Sequence, residues 1–267
     1  MSKVVFITGA SSGIGLAIAN YLSEKGFTVY GSCRDANCNR AYVFKMIPLE
    51  LTYSDSIKNA IDIIVNNEGR LDVLINNAGV GITGPVEETP TDEIKKSFDI
   101  NFFGLIDVMK AVLPQMRLQK SGLIINITSI ASYMGLPFRG VYSSLKGAVR
   151  ILTESISMEV KKFGINVVNL APGDFKTNIA QGRYHTPVNE KSVYNKVYRR
   201  NLDLMNAHVN DGEDPILVAK YVYEIINSEN PRIHYKVGSF TQKAAIILKR
   251  VLPDKVYEKM LMNYYRV

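Results

Sequence analysis

Short apolar runs rich in β-branched residues alternate along this chain with longer stretches of helical period. The runs predict seven strands, near residues 4 to 8, 27 to 32, 43 to 47, 71 to 76, 122 to 128, 165 to 170 and 233 to 237. The stretches predict helices over residues 14 to 25, 54 to 67, 92 to 113, 141 to 162 and 214 to 227. This alternation predicts an α/β fold: one doubly wound, Rossmann-like domain whose parallel sheet of about seven strands has helices on both faces.

Breaker residues set the expected helix ends and the limits of the domain. Pro114 is expected to end the helix that begins at residue 92, because proline lacks the backbone N–H that a helix interior needs. No linker divides residues 1 to 267, so we expect a single domain. Residues 178 to 213 lack clear periodicity and predict a loop that acts as a substrate lid, and residues 240 to 267 predict a helical extension.

Composition and charge limit the classes of binding partner that we expect. The formal net charge of +7 is mild and dispersed, so no nucleic-acid partner is expected. The chain has two cysteines, Cys33 and Cys38, which fit neither a disulfide framework nor a metal site. No apolar run is long enough to span a membrane. We therefore expect a cytoplasmic protein that binds small molecules.

A glycine-rich turn follows the first predicted strand and opens a helix. Glycine permits the close approach of a pyrophosphate, and the helix N-terminus offers free N–H groups and a positive dipole end. The candidate phosphate-binding residues are Gly9, Ser11, Ser12, Gly13, Ile14 and Gly15. The alternative is a tight connection that binds no ligand.

The end of the second strand indicates which cofactor is bound. An acidic residue there would bind the ribose of NAD, and a basic one suits the additional phosphate of NADP. Cys33 stands where the acid would be, and Arg34 follows it. We therefore predict NADP, with NAD as the alternative.

Tyr142 and Lys146 form a Tyr-x-x-x-Lys motif on a predicted helix, with Ser129 upstream. Side chains four residues apart share one helix face, and an ammonium there would lower the pKa of the tyrosine. Tyr142 would then exchange a proton with the oxygen of a carbonyl or alcohol substrate, and Ser129 would hydrogen-bond the same oxygen. The motif alone is weak, since a surface tyrosine and a solvated lysine give the same pattern.

Taken together, these motifs make the chain resemble the short-chain dehydrogenase/reductase family from about residue 3 to residue 180. The matching segments are Thr8 to Gly15, Asn76 to Gly79, Asn101 with Gly104, the Ser129, Tyr142 and Lys146 set, and Pro172 with Gly173 and Thr177. The resemblance implies hydride transfer between a nicotinamide cofactor and a carbonyl or alcohol carbon. Family members commonly form oligomers, so a homodimer or homotetramer is expected.

The resemblance also implies roles for single residues. Asn101 would kink its helix and hold a water that connects Lys146 to solvent. Tyr142 and Lys146 would also contact the cofactor, Lys146 through the ribose hydroxyls. Further cofactor contacts would come from two segments and an apolar wall: Asn77, Ala78 and Gly79; Pro172, Gly173 and Thr177; and Leu51.

Two positions depart from the family pattern. Glu50 stands before Leu51 where an Asp or Asn is usual, so its role is open. Ser12 stands where many NADP-dependent members have a basic residue, so the NADP prediction depends mostly on Arg34.

The substrate is less well indicated. Aromatic and aliphatic residues between residues 178 and 213 predict a moderately large apolar substrate, whereas His185 and His208 are not expected to be catalytic bases. The basic amphipathic segment after Pro253 would cover the site, join a subunit interface or touch a membrane surface. This tail gives a weak further resemblance to hydroxysteroid and retinol dehydrogenases.

Two alternative functions use the same fold. A cofactor-binding regulator would not need Ser129, Tyr142, Lys146 and Asn101 together. An epimerase or dehydratase of nucleotide sugars would share the Tyr-x-x-x-Lys motif, but such chains have a different glycine spacing and a longer substrate domain.

Overall fold

A computed structural model of the chain describes residues 2–34, 41–177 and 182–267, without the side chains of residues 208 and 210. The side chain of His208 therefore lies outside the described part of the structure. Within the described ranges, no helix is long and apolar enough to cross a membrane.

Seven parallel strands form the central sheet in the order β3-β2-β1-β4-β6-β7-β9. Their bounds are β1 Val4–Ile7, β2 Thr28–Cys33, β3 Lys45–Pro48, β4 Val73–Asn76, β6 Gly122–Ile127, β7 Ile165–Pro172 and β9 His234–Val237. A separate two-stranded sheet pairs β5 (Ile82–Thr83) with β8 (Tyr184–His185). The predicted seven-stranded, doubly wound sheet is confirmed. Its strand order reverses between β1 and β4, where ligands of such sheets bind at the carboxyl ends.

Helices cover both faces of this sheet. They are α1 Gly13–Glu24, α2 Ser54–Glu68, α3 Thr91–Phe98, α4 Gly104–Gln119, α5 Gly140–Val160, α6 Asn195–Asn210, α7 Ile216–Ile226, α8 Phe240–Val251 and α9 Asp254–Tyr265. The apolar faces of α2, α4 and α5 pack in one core cluster, and those of α1 and α7 pack in the other. The strands lie between these two cores, as their runs of buried residues require.

The helix predicted over residues 92 to 113 differs from the observed one. It consists of α3, a turn of π-helix over Asp99–Phe103, and α4, which continues through Pro114 to Gln119. Val112 and Met116 flank the proline and are both fully buried. Their packing holds the helix together across the hydrogen bond that Pro114 cannot form, so the predicted end is wrong.

In the C-terminal third, α7 covers the sheet, whereas α6, α8 and α9 lie outside its two covering layers. Residues 178 to 213, predicted to be a loop, contain β8 and the helix α6. Helices α8 and α9 pack through Ile246 and Tyr257 onto the turn that follows β6. These helices therefore lie beside the carboxyl end of the sheet.

Candidate active site

A cavity of about 400 Å³ opens at the carboxyl ends of the central strands. Of the residues assigned from sequence to cofactor or catalysis, all except Gly15 line this cavity. Asn76 does not line it, because its side chain is buried and donates a hydrogen bond to Asn126 on the neighbouring strand. The fold thus brings motifs that are up to 168 residues apart in sequence, from Gly9 to Thr177, into one cleft.

The turn after β1 has no room for side chains. Gly9 and Gly13 have φ angles of 69° and 55°, in the left-handed region that favours glycine. A Cβ on Gly15 would lie 2.2 Å from the Gly9 carbonyl oxygen and 2.5 Å from Asn77 Nδ2. The glycine at position 15 therefore allows α1 to pack closely against the turn.

The start of α1 provides unpaired donors. Ser12 is the N-cap, its side chain makes no capping hydrogen bond, and the first turn has no acidic residue. The first N–H groups of a helix have no partner within it and attract anions. This end of the cleft thus offers neutral backbone N–H donors of a kind that suits an anion.

Thr8 and Asn77 join the turn to the end of β4. Thr8 Oγ1 accepts hydrogen bonds from the N–H groups of Asn77 and Ala78, both at 3.0 Å. Asn77 Nδ2 donates in return to the carbonyls of Thr8 and Gly9, at 3.0 and 2.9 Å. The role of Asn77 in the described structure is therefore to fix the two loops that border the cleft.

Asn101 lies in the π-helical turn and is 1% exposed. Its Nδ2 donates to the carbonyls of Ser97 and Val80, and its Oδ1 accepts from the Val80 N–H at 3.1 Å. A Cβ on Gly79 would lie 2.3 Å from Asn101 Oδ1, so glycine is needed for this approach. The π-turn directs Asn101 into the loop beside the site, consistent with the frequent occurrence of such turns at functional sites.

Ser129, Tyr142 and Lys146 come together where β6 ends and α5 begins. All three line the cavity there, and Ser129 Oγ accepts a hydrogen bond from the Ala131 N–H at 3.1 Å. Burial raises the pKa of Tyr142, while the charge of Arg139, the Ser129 hydrogen bond and the charge of Arg183 act in the opposite direction. The net shift is therefore upward and not the expected lowering, because burial of the phenolate outweighs the nearby charges.

Lys146 is 6% exposed, and its Nζ donates to the Ile127 carbonyl at 3.0 Å. Burial lowers its pKa to about 8. Among the described residues no carboxylate forms an ion pair with it. The lysine thus carries an uncompensated charge at the centre of the site.

The remaining predicted contacts lie at both ends of the cleft. Arg34 is an exposed lining residue at the end of β2, and Leu51 is a nearly buried one that packs against Gly104. Glu50 also lines the cavity, and its Oε1 accepts hydrogen bonds from the N–H and hydroxyl of Thr52. Its carboxylate therefore braces its own loop.

The structure adds to the cavity residues that the motifs did not indicate. Arg139, Asp174 and Arg183 line the cavity with Tyr142, and Asp174 Oδ2 accepts a 2.7 Å hydrogen bond from Gln242 Nε2 on α8. Gln242 Oε1 occupies the space that a Cβ on Gly173 would need, 1.9 Å away. No local pattern marks these charged side chains, because four separate segments bring them together.

Comparison with known proteins agrees with this geometry. A model of the short chain dehydrogenase family matches residues 3–187, which is more than half of the chain. The chain belongs to this family. It is accordingly an oxidoreductase that uses a nicotinamide cofactor and acts on CH–OH and C=O groups.

Individual relatives of this short-chain dehydrogenase extend the match to its whole length. It is 36% identical over 266 residues to a 3-ketodihydrosphingosine reductase of Bacteroides thetaiotaomicron, covering 99% of this chain and 98% of that protein. A solved short-chain dehydrogenase from Streptomyces avermitilis superposes with a TM-score of 0.83 at 28% identity, covering 100% and 96% of the two chains. The structure of ElxO with NADP bound gives 0.71 at 28% identity, covering 90% and 97%.

Proposed function

We propose that this enzyme reduces the carbonyl group of a moderately large, mostly apolar small molecule, with NADPH preferred over NADH and Tyr142 as the proton donor. The observation that carries the proposal is that Ser129, Tyr142 and Lys146 line the same cavity as the glycine turn. Cofactor and proton donor thereby share one cleft.

The donor set of the cleft fits a nicotinamide dinucleotide. Gly9, Gly13 and the free N–H groups at the start of α1 would hold the pyrophosphate, and Ser11 and Ser12 would add hydroxyl donors. Asn77, Ala78, Gly79, Pro172, Gly173 and Thr177 would border the nicotinamide end. When bound, the cofactor supplies the hydride.

Arg34 supports the preference for NADPH. Its guanidinium is exposed at the cavity edge after β2, where a forked donor matches the 2′-phosphate. ElxO, which is 28% identical over most of this chain, has been solved with NADP. The proposed preference for NADPH therefore rests on Arg34 and on the similarity to ElxO.

Two side chains would act on the substrate oxygen, and Lys146 and Asn101 would support them. Since burial raises its pKa, Tyr142 keeps its proton at neutral pH, as a donor to a carbonyl must. Ser129 would hydrogen-bond the same oxygen, and Lys146 would bind the ribose and stabilise the phenolate formed when the proton leaves. Asn101 holds the loop at Gly79 and Val80 and would support the path that returns a proton to Lys146.

Apolar groups at the far end of the cavity support a large substrate. Val80, Ile82, Phe175 and Val209 line it, and Val209 comes from α6, inside the segment expected to act as a lid. The relative of 36% identity is named for a keto substrate, 3-ketodihydrosphingosine, which supports a ketone in preference to an aldehyde.

Neither a regulator nor a nucleotide-sugar epimerase is favoured. All four candidate catalytic residues line the cavity. The relative of 36% identity is named as a reductase, and the similarity covers 98% of its length.

A homodimer or homotetramer is also proposed. Leu118 on α4 and Ile151 and Met158 on α5 are large apolar side chains with most of their surface exposed. Light scattering after gel filtration gives the assembly size, and replacing Ile151 and Met158 by glutamate is expected to yield monomers. A wild-type monomer would contradict this part.

The test of function follows nicotinamide absorbance with NADPH or NADH against ketones, aldehydes, quinones and sterols. We expect ketone reduction that is faster with NADPH. Arg34→Ala should reduce kcat/KM for NADPH about 10- to 100-fold and leave that for NADH nearly unchanged, since one charge-assisted contact is lost. Equal loss with both cofactors, or none, would contradict the assignment of Arg34.

A further inference from the structure

Two arginines lie beside Tyr142 at the substrate end of the cavity. Arg139 directly precedes α5, and Arg183 directly precedes β8. Both are half-buried and both line the cavity. The positive charge of each acts to lower the pKa of Tyr142. A substrate positioned for reduction would therefore meet two cations.

Within the described residues, most of their hydrogen-bond donors have no protein partner. A guanidinium has five N–H donors, and the described contact of the Arg139 side chain is its Nε with Met205 Sδ at 2.8 Å, a weak acceptor. Arg183 Nη1 is buried without a hydrogen-bond partner. Among the described residues, neither arginine has a carboxylate within 4.0 Å. A buried donor such as Arg183 Nη1 is costly unless a ligand satisfies it.

The local charge is positive. Burial lowers the pKa of Arg183, and the charge of Arg139 lowers it further, while Tyr142 and Asp174 oppose this. Asp174 is the carboxylate in this region, but its Oδ2 accepts the hydrogen bond from Gln242. Two arginines and one aspartate, whose Oδ2 is already hydrogen-bonded, leave a net positive charge here. One further negative charge would neutralise it.

The fold holds both arginines in place at some cost. Phe138, just before Arg139, has φ of 57°, a strained value for a bulky residue, and its carbonyl accepts hydrogen bonds from Gly84 N and Thr83 Oγ1. On the other side, a Cβ on Gly81 would lie 2.9 Å from Arg183 Cγ, so glycine makes room for that side chain. Strain retained beside a reactive group points to function.

We propose that Arg139 and Arg183 form a binding site for a substrate oxyanion, a carboxylate or phosphate carried on the molecule whose carbonyl is reduced. The substrate is then an anionic, otherwise apolar ketone. This inference rests on the proposed function and refines its substrate class. It also predicts that a cationic amino ketone is a poor substrate, since two guanidinium groups repel an ammonium.

The test compares ketones that differ only in charge. The probes are 4-, 6- and 8-oxodecanoate and their methyl esters, with 3-ketodihydrosphingosine as an amino ketone. At least one oxo acid should exceed its ester in kcat/KM by about tenfold or more. Arg139→Gln and Arg183→Gln should lower kcat/KM for that acid about 10- to 100-fold, mostly through KM, and lower the value for the ester by a clearly smaller factor.

Two further variants distinguish binding at this site from a general effect of positive charge on the protein. Arg183→Lys should restore part of the preference, and Arg200→Gln, which removes an exposed arginine of α6, should behave as wild type. Neither Gln variant should melt earlier than wild type, because each removes a repulsive pair. Equal losses for acid and ester would place the arginines on the reacting oxygen and overturn the proposal, as would faster reduction of the amino ketone.

Binding without turnover separates this inference from the proposed function. Decanoate lacks a ketone, so titration calorimetry with decanoate and 1-decanol tests the site even if no ketone is reduced. Wild type should bind decanoate about tenfold more tightly than 1-decanol, and Arg183→Gln should lose that difference. NADPH affinity should stay the same in the variant; a parallel fall would mean that the arginine binds the cofactor phosphates, contradicting the proposal.

Discussion

The two ends of the active-site cleft differ in how their polar groups are partnered. At the cofactor end, Thr8 and Asn77 satisfy each other and the surrounding backbone, and neutral N–H groups face the cavity. At the substrate end, Arg139, Arg183 and Lys146 bring charges that no carboxylate of the described residues pairs within 4.0 Å. Under the proposed function, the rigid end would bind the cofactor, and the charged end would serve the substrate and proton transfer.

The largest expected effect follows loss of the proton donor at the substrate end. Tyr142→Phe should lower kcat about 10²- to 10⁴-fold, the usual contribution of a general acid, and leave NADPH affinity within about threefold. Steady-state rates and a fluorescence titration with NADPH measure the two quantities. Tyr235→Phe, on β9 and away from the cavity lining, is the matched control. Lost NADPH binding in Tyr142→Phe would show that the two ends are not separable.

The converse change affects the cofactor end. Gly15→Ala places a Cβ 2.2 Å from the Gly9 carbonyl oxygen, so the turn must shift. Such overpacking costs about 1–3 kcal/mol, and NADPH affinity should fall about 10- to 100-fold. Gly147→Ala in α5, where a Cβ would be 3.6 Å from the Ser132 carbonyl oxygen, is the control and should bind NADPH normally. Unchanged binding in Gly15→Ala would refute the account of a preformed phosphate turn.

Lys146 tests the cost of charge at the substrate end. Its folded pKa of about 8 lies below the usual value of 10.5, so folding penalises its charged form. The penalty is fully present below pH 8 and is relieved as the pH rises from about 8 to 10.5, where the unfolded chain binds more protons.

Lys146→Met should therefore raise the free energy of unfolding at pH 7 by about 1–3 kcal/mol while abolishing most activity. Urea melts at pH 7 and pH 10 measure the gain, which should shrink at the higher pH. Lys110→Met, an exposed lysine on α4, should change stability little at either pH. A Lys146→Met protein less stable than wild type at pH 7 would contradict the uncompensated charge.

The cofactor end and the sheet were predictable from sequence for the same reason. Glycine spacing at Gly9 to Gly15 and β-branched strand runs are local signals, since each depends on a few neighbouring residues. Helix α4 was not, because packing of Val112 and Met116 carries it through Pro114. Arg139, Asp174, Arg183 and Gln242 come from distant segments, so their meeting beside Tyr142 depends on tertiary contacts that no spacing encodes.

The most direct test of the account is isotope transfer. A ketone reduced by the wild-type enzyme with NADPH deuterated at both C4 positions should give an alcohol with one deuterium on the carbinol carbon, detected by mass spectrometry. Tyr142→Phe should give the same label in trace yield, since the hydride path remains and the proton donor is gone. An unlabelled alcohol from the wild type, or no alcohol from any ketone tested, would contradict hydride transfer to a carbonyl in this cleft.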